Sequence, residues 1–300
     1  MPNAKDAASA AYQRILVAGK GASGKTSQIW TLPGKKFAYL FDPAARNTLS
    51  GLDIEYEEFL PEAGDLDASL KGFNKGSRDD KPKVTKEPKI YLNWTEDFNK
   101  RVDDGFFLTV DWLIFDSYTM FQSAVMDRIL WLNNRYGSIE DLSDYRISGS
   151  KVADISKYIF SLPTNIYATT HLNTYQDEKT KKIDTQINLS GKGRTMIPLM
   201  CANIWELRST TDNTANHIML TKPEPRGFSD IRSSIKGLKP IEDIEIKDWK
   251  NPENFGIGAL LKKSNSLLLN TKKPSVAVTN APAATPTSVS ASGMLQSKTP

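Results

Sequence analysis

The apolar positions of this chain fall into short continuous runs separated by stretches with helical spacing. Residues 14–17 are the first run and predict a buried strand. A glycine-rich turn follows, then a helix expected from about Gly24 to Leu32, where Pro33-Gly34 stops it. Residues 36–42 form a second run, rich in aromatics and ended by Asp42-Pro43, while residues 54–59 alternate and predict a third, more exposed strand. Thr95 reads as the N-cap of a helix running to Val102. Residues 110–117 predict a buried strand that ends in a carboxylate, Asp116. Phe121, Val125, Ile129 and Leu132 recur at helical spacing up to Gly137; Val152, Ile155, Ile159 and Leu162 repeat the pattern up to Pro163. Residues 165–171 predict another strand, 172–190 a polar hairpin, and 204–207 and 217–221 later strands. Strands alternating with helices in this way predict a parallel sheet covered on both faces.

The turn after the first strand carries the most specific chemistry. Gly19-Lys20-Gly21-Ala22-Ser23-Gly24-Lys25-Thr26 satisfies G-x-x-x-x-G-K-[ST] between a strand and an expected helix, the context that a phosphate-binding P-loop requires. Glycines let successive N–H groups curl inward around phosphate oxygens, and the following helix adds its positive end. Lys25 supplies a mobile cation for the β- and γ-phosphates and Thr26 a hydroxyl for Mg²⁺, so ATP with Mg²⁺ is the expected cofactor. Asp116 is the second element: an apolar strand ending in Asp sets a carboxylate at the carboxyl edge of the sheet, where it can hold Mg²⁺ directly or through water.

Composition narrows the classes without naming one. The share of hydrophobic residues (39%) suits a folded core, and no run approaches the roughly 18 apolar residues that cross a bilayer. The N-terminus lacks an apolar signal core, which predicts a cytoplasmic protein. One cysteine, Cys201, excludes an intramolecular disulfide and reads as a buried inert thiol; two histidines exclude a histidine-rich metal site. The net charge of +4 is concentrated in residues 71–90, with seven Lys/Arg against three acids, and in residues 271–300, with three lysines and no acid. The rest of the chain is therefore acidic overall, and nucleic acid would be met by local loops rather than a broadly basic face. The organisation expected is a flexible leader (1–11), an ATPase core (12–236) with a basic insertion (61–90), a C-terminal extension (237–270) and a disordered Ser/Thr/Ala/Pro/Lys tail (271–300).

Val-Asp-x-Leu-Ile-x-Asp-Ser at 110–117 resembles the second nucleotide motif of RecA-type recombinases. From about Ile15 to Arg226 the chain is similar to the RecA-like branch of phage single-strand annealing proteins, the Sak group. The resemblance implies a three-layer α/β RecA-like core with a mostly parallel central sheet. It also implies ATP and Mg²⁺, assembly as a homo-oligomer on single-stranded DNA, and phage recombination alongside a single-strand-binding protein. It implies roles for particular residues too. His171, at the end of the strand after Thr170, takes the place of a γ-phosphate sensor, though an ordinary strand-end residue fits as well. The loop from Leu172 takes the place of a DNA-binding loop. In it Lys179, Lys181 and Lys182 suit either phosphates or a solvated hairpin, while Gly191-Lys192-Gly193-Arg194 offers cations flanked by glycines for close backbone approach to DNA. Tyr175 could stack on a base. Lys222 and Arg226 fall where such filaments reach into a neighbour's nucleotide, or are plain basic loop residues.

One departure matters. RecA-like proteins place a water-orienting Glu two residues past an Asp after the second core strand, and here that position is Ala44. Asp42 or Glu58 could substitute. The expectation is firm ATP binding, with ATPase activity weak or stimulated by DNA and nucleotide serving as an assembly switch. The alternatives are a P-loop loader or regulator of a replication or recombination partner, and a small-molecule kinase, which the absence of an arginine-rich lid disfavours.

Overall fold

The computed structural model describes residues 12–61, 86–176, 178, 181, 183–210, 217–225 and 227–265. The expected leader, residues 62–85 of the basic insertion, Lys179, Lys182, Arg226 and the 271–300 tail lie outside them. Among the described residues nine strands form the sheet: β1 (Arg14–Gly19), β2 (Lys36–Leu40), β3 (Glu55–Glu58), β4 (Trp112–Asp116), β5 (Asn165–Gln176), β6 (Ile183–Ile187), β7 (Asn203–Ser209), β8 (His217–Leu220) and β9 (Ile241–Asp243). Their order is β3-β2-β4-β5-β1-β7-β8-β9, parallel from β3 to β7 and antiparallel at β8 and β9. The sixth strand folds back antiparallel on the far half of β5, which makes residues 172–187 the expected hairpin.

Two apolar clusters sandwich the sheet. One face meets α2 (Ile90–Asp103), α3 (Tyr118–Leu132), α4 (Leu142–Ser161) and α5 (Gly191–Met200) through Trp94, Phe98, Phe121, Val125, Val152 and Ile197. Tyr39 and Phe115 from the strands and Phe41 from just past β2 close that aromatic core, with Phe115 and Phe121 packed edge to face at 5.1 Å. The other face meets α1 (Ala45–Leu49), α6 (Gly256–Asn265) and a short turn of 3-10 helix through Ala45, Leu49, Ile29, Ile257 and Leu261. The result is the three-layer α/β arrangement with a mostly parallel sheet that the sequence predicts.

Three local expectations change. The helix after the P-loop is only five residues of 3-10, Ser27–Thr31. The Thr31 hydroxyl donates to the Gln28 carbonyl at 2.7 Å, and Pro33-Gly34 leaves no length for an α-helix. The turn is held from outside: Gln28 donates to Ile244 O (2.9 Å) and accepts from Ile257 N (2.9 Å). Gly258 lies so close that a Cβ there would sit 1.7 Å from Thr31 O. Ile244, Ile257 and Gly258, in the segment 237–265, thus buttress the turn behind the P-loop. Next, α2 begins at Ile90, so Thr95 is internal and its hydroxyl donates back to Tyr91 O at 2.7 Å instead of capping. Last, α3 ends at Leu132, because Asn134 takes the left-handed position (φ 55°) that was expected of Gly137.

Candidate functional site

At the carboxyl end of β1 the chain curls through Ala22 (φ 59°) and Gly24 (φ 85°), alternating handedness as a nest of backbone donors does. Among the described residues, no backbone N–H from Gly21 to Thr26 finds an acceptor. Clustered donors left open in this way are suited to an anion. Lys25, nearly buried, folds over the loop and donates to Gly19 O (3.0 Å) and Lys20 O (2.8 Å), with Ser23 Oγ at 3.4 Å. Burial pulls its ammonium pKa down, opposed by Asp116 and Asp42. With only a short 3-10 turn behind it, the loop draws its anion affinity from these donors and Lys25, not from a helix dipole.

Asp116 arrives from β4, which is separated from β1 by β5. Thr26 Oγ1 donates to Asp116 Oδ2 at 2.8 Å, and Thr169 Oγ1 donates to Oδ1. The carboxyl is 2% exposed; burial pushes its pKa up, while the two hydroxyls and Lys25 pull it back. Strand alternation explains the convergence. Tyr167, Thr169 and His171 share one face of β5, so Tyr167 hydrogen-bonds to Lys25 O (2.7 Å), Thr169 meets Asp116, and His171 reaches Asp42 with 3.7 Å between Nε2 and Oδ2. Burial, and then Lys25, lower the His171 pKa. Thr169 and Tyr167 were missed from sequence, although period-two reading outward from His171 would have found them.

A cation fits between Thr26 and Asp116. A hydroxyl beside a buried carboxylate supplies one or two protein oxygens, the number Mg²⁺ takes when phosphates and water complete its octahedron. No group of three or more His, Cys, Asp or Glu among the described residues forms a stand-alone metal site. Asp42 also accepts from Ala44 N at 3.0 Å, while Ala44 itself is exposed. Glu58 is not brought in; it pairs with Arg46 at 3.5 Å on the edge strand.

His171 also connects the nucleotide end to the hairpin. Its N–H donates to Thr119 Oγ1 (3.0 Å), and its carbonyl accepts from Asn188 N (2.7 Å) at the hairpin base. Thr119 in turn lines a groove of about 640 Å³ with Tyr145, Arg146, Tyr175 and Arg194. The expectation of a glycine-flanked cationic loop at 191–194 is corrected: these residues are the first turn of α5. Gly193 packs on Gly149, and Arg194 donates to Leu189 O (2.8 Å) and Gln186 Oε1 (2.6 Å). Their glycines serve helix–helix contact, because a Cβ on Gly149 would lie 2.3 Å from Ser190 O. Lys192 is exposed on that turn and is not part of the groove wall. Lys222 stands exposed just past β8, with no ion pair to a described residue. Cys201 is buried as expected, its thiol pushed up to about 12 by burial.

No helix among the described residues is long and apolar enough to cross a membrane. No curated protein matches the chain. Among solved structures, a KaiC-like protein from the hyperthermophilic archaeon Pyrococcus horikoshii OT3 is similar at 12% identity and a TM-score of 0.38, covering 80% of this chain and 86% of that one. Residues 11–233 match the AAA_24 profile, described as an AAA domain, and the chain belongs to that family of P-loop ATPase domains.

Proposed function

We propose that this chain binds Mg·ATP at the P-loop and uses it to control assembly of an oligomer on single-stranded DNA, as phage recombination and annealing proteins of the Sak group do. The observation that carries the reading is the contact between Thr26 and Asp116 beside the open N–H groups of the loop. Thr26 and Asp116 would hold Mg²⁺, which neutralises phosphate charge, and Lys25 would leave the Gly19 and Lys20 carbonyls for the phosphates. Slow hydrolysis follows from Ala44 and from the placement of Asp42, whose carboxylate is already engaged by Ala44 N. His171, between Asp42 and the hairpin base, is suited to sense the γ-phosphate. DNA binding is supported by the groove that joins Tyr145, Arg146, Tyr175 and Arg194 to Thr119, with Lys192 beside it as a phosphate contact. Lys222 and Arg226 would act on a neighbouring subunit's nucleotide, and a single-strand-binding protein would be the partner in recombination.

A second reading, a loader or regulator of a DNA-handling partner, is favoured by Leu142, 85% exposed on the wall of the same groove, with Ile139, 82% exposed, three residues before it. Filter binding to single-stranded DNA with an ATP analogue, across a salt series, separates the two. The first reading predicts retention that falls steeply with salt. Absence of retention at low salt would refute it and leave the loader.

A further inference from the structure

The strand order gives the phosphate site a direction. From β1, the groups suited to Mg²⁺ and the γ-phosphate lie on one side of the P-loop: Asp116 and His171 come from β4 and β5, and Asp42 from just past β2. A triphosphate lying along the loop with its γ end there must extend its nucleoside end toward β7 and β8. On that side His217, the first residue of β8, packs its ring against Gly24: a Cβ there would lie 2.8 Å from His217 Cδ2. Glu245, just past β9, holds the histidine in place. Its Oε2 accepts from His217 N (3.1 Å) and lies 3.2 Å from His217 Nδ1. Both side chains keep 31% of their surface exposed, and Glu245 Oε1 takes no hydrogen bond from a described residue.

We infer that His217 and Glu245 form the nucleoside subsite, in which the Glu245 carboxylate accepts from the sugar hydroxyls of a ribonucleoside triphosphate and His217 walls the sugar against the P-loop. The inference rests on triphosphate binding at the P-loop and adds what lies beyond the phosphates. A carboxylate with a free oxygen is the natural acceptor for a vicinal diol, because each hydroxyl donates to it in a charge-assisted bond. His217 orients that carboxylate through two contacts and leaves the second oxygen toward solvent. The pair therefore selects ribonucleoside triphosphates over bare polyphosphate and over dideoxynucleotides.

Calorimetric titration of the full chain with Mg²⁺ and ATP, 2′,3′-dideoxy-ATP or inorganic tripolyphosphate tests this, comparing wild type with Glu245→Gln and His217→Ala. The wild type should prefer ATP to dideoxy-ATP by about tenfold, the worth of a hydrogen bond to a charged group. Glu245→Gln, whose amide still accepts but carries no charge, should cut that preference to about threefold and leave tripolyphosphate affinity within about twofold of wild type, as expected when only the sugar contact is weakened. His217→Ala should weaken ATP more than tripolyphosphate. Unchanged ATP selectivity in Glu245→Gln overturns the inference, as does an equal loss of ATP and tripolyphosphate, which would make the pair only a prop for the loop. Failure of the wild type to bind tripolyphosphate at all would instead remove the P-loop reading beneath it.

Discussion

Replacing Asp116 by Asn should make the nucleotide-free chain more stable and the nucleotide-bound chain less so. The carboxyl is 2% exposed, and its charged form is supported by two hydroxyls and by Lys25. Burial raises its folded pKa above the ordinary carboxyl value. A carboxyl raised on folding binds its proton more tightly in the native chain, so its favourable contribution is complete below the unfolded pKa and is lost as pH rises through the folded one. An amide carries no such cost and still accepts from one hydroxyl. The expected gain at pH 8 is about 1 kcal/mol, typical when a functional charge is neutralised. For a chain of this length that raises Tm by about 2–4 °C. The advantage should shrink as pH falls toward the carboxyl range. With Mg·ATP at roughly a hundredfold over its Kd the wild type gains about 2.7 kcal/mol, or about 5–10 °C, and the variant should forfeit most of that gain. Differential scanning calorimetry at several pH values, with and without Mg·ATP, reads all of this. An Asn variant that melts lower than wild type without nucleotide, yet gains the same increment with it, would refute both the burial argument and the role of Asp116.

Other consequences are equally open to measurement. Ala44→Glu places a carboxylate at the position suited to orienting water and should raise single-turnover hydrolysis by about 10²-fold; an unchanged rate would show that this position does not face the reacting phosphate. Gly149→Ala drives a Cβ to 2.3 Å from Ser190 O, and should cost about 1–3 kcal/mol in urea denaturation, whereas a neutral result would contradict the close contact of α4 and α5. Phe121→Ala empties the centre of the aromatic cluster and should cost about 3–5 kcal/mol; a loss below about 1 kcal/mol would mean that the cluster is loosely packed. Cys201, with its thiol pushed up to about 12, should resist iodoacetamide at pH 8 until denaturant is added, and mass spectrometry of the native chain would expose the opposite.

The alternation of strands and helices was legible because both faces of the sheet are apolar, which leaves continuous runs such as residues 112–115. Lys25, Thr26 and Asp116 were legible because their chemistry fixes both residue type and place at the end of a strand. What escaped was set by tertiary contact. The turn after the P-loop looked like a helix, but its length is limited by Pro33 and its polar groups are taken by Ile244, Ile257 and Gly258 from the far end of the chain. Gly191 and Gly193 looked like a loop for DNA, while the close approach of Gly149 to Ser190 and Gly193 is what calls for small residues there. His217 carries no local signal; its neighbour on the P-loop is 193 residues away in sequence, and only the β7–β8 pairing brings them together.

The most direct measurement is a crystal structure of the full chain with Mg²⁺ and a non-hydrolysable ATP analogue. Lys25 Nζ should leave the carbonyls of Gly19 and Lys20 for the β- and γ-phosphates, the N–H groups from Gly21 to Thr26 should surround the phosphates, and a cation should sit between Thr26 Oγ1 and Asp116. Nucleotide bound elsewhere, or Lys25 still on those carbonyls with the analogue present, would contradict the account.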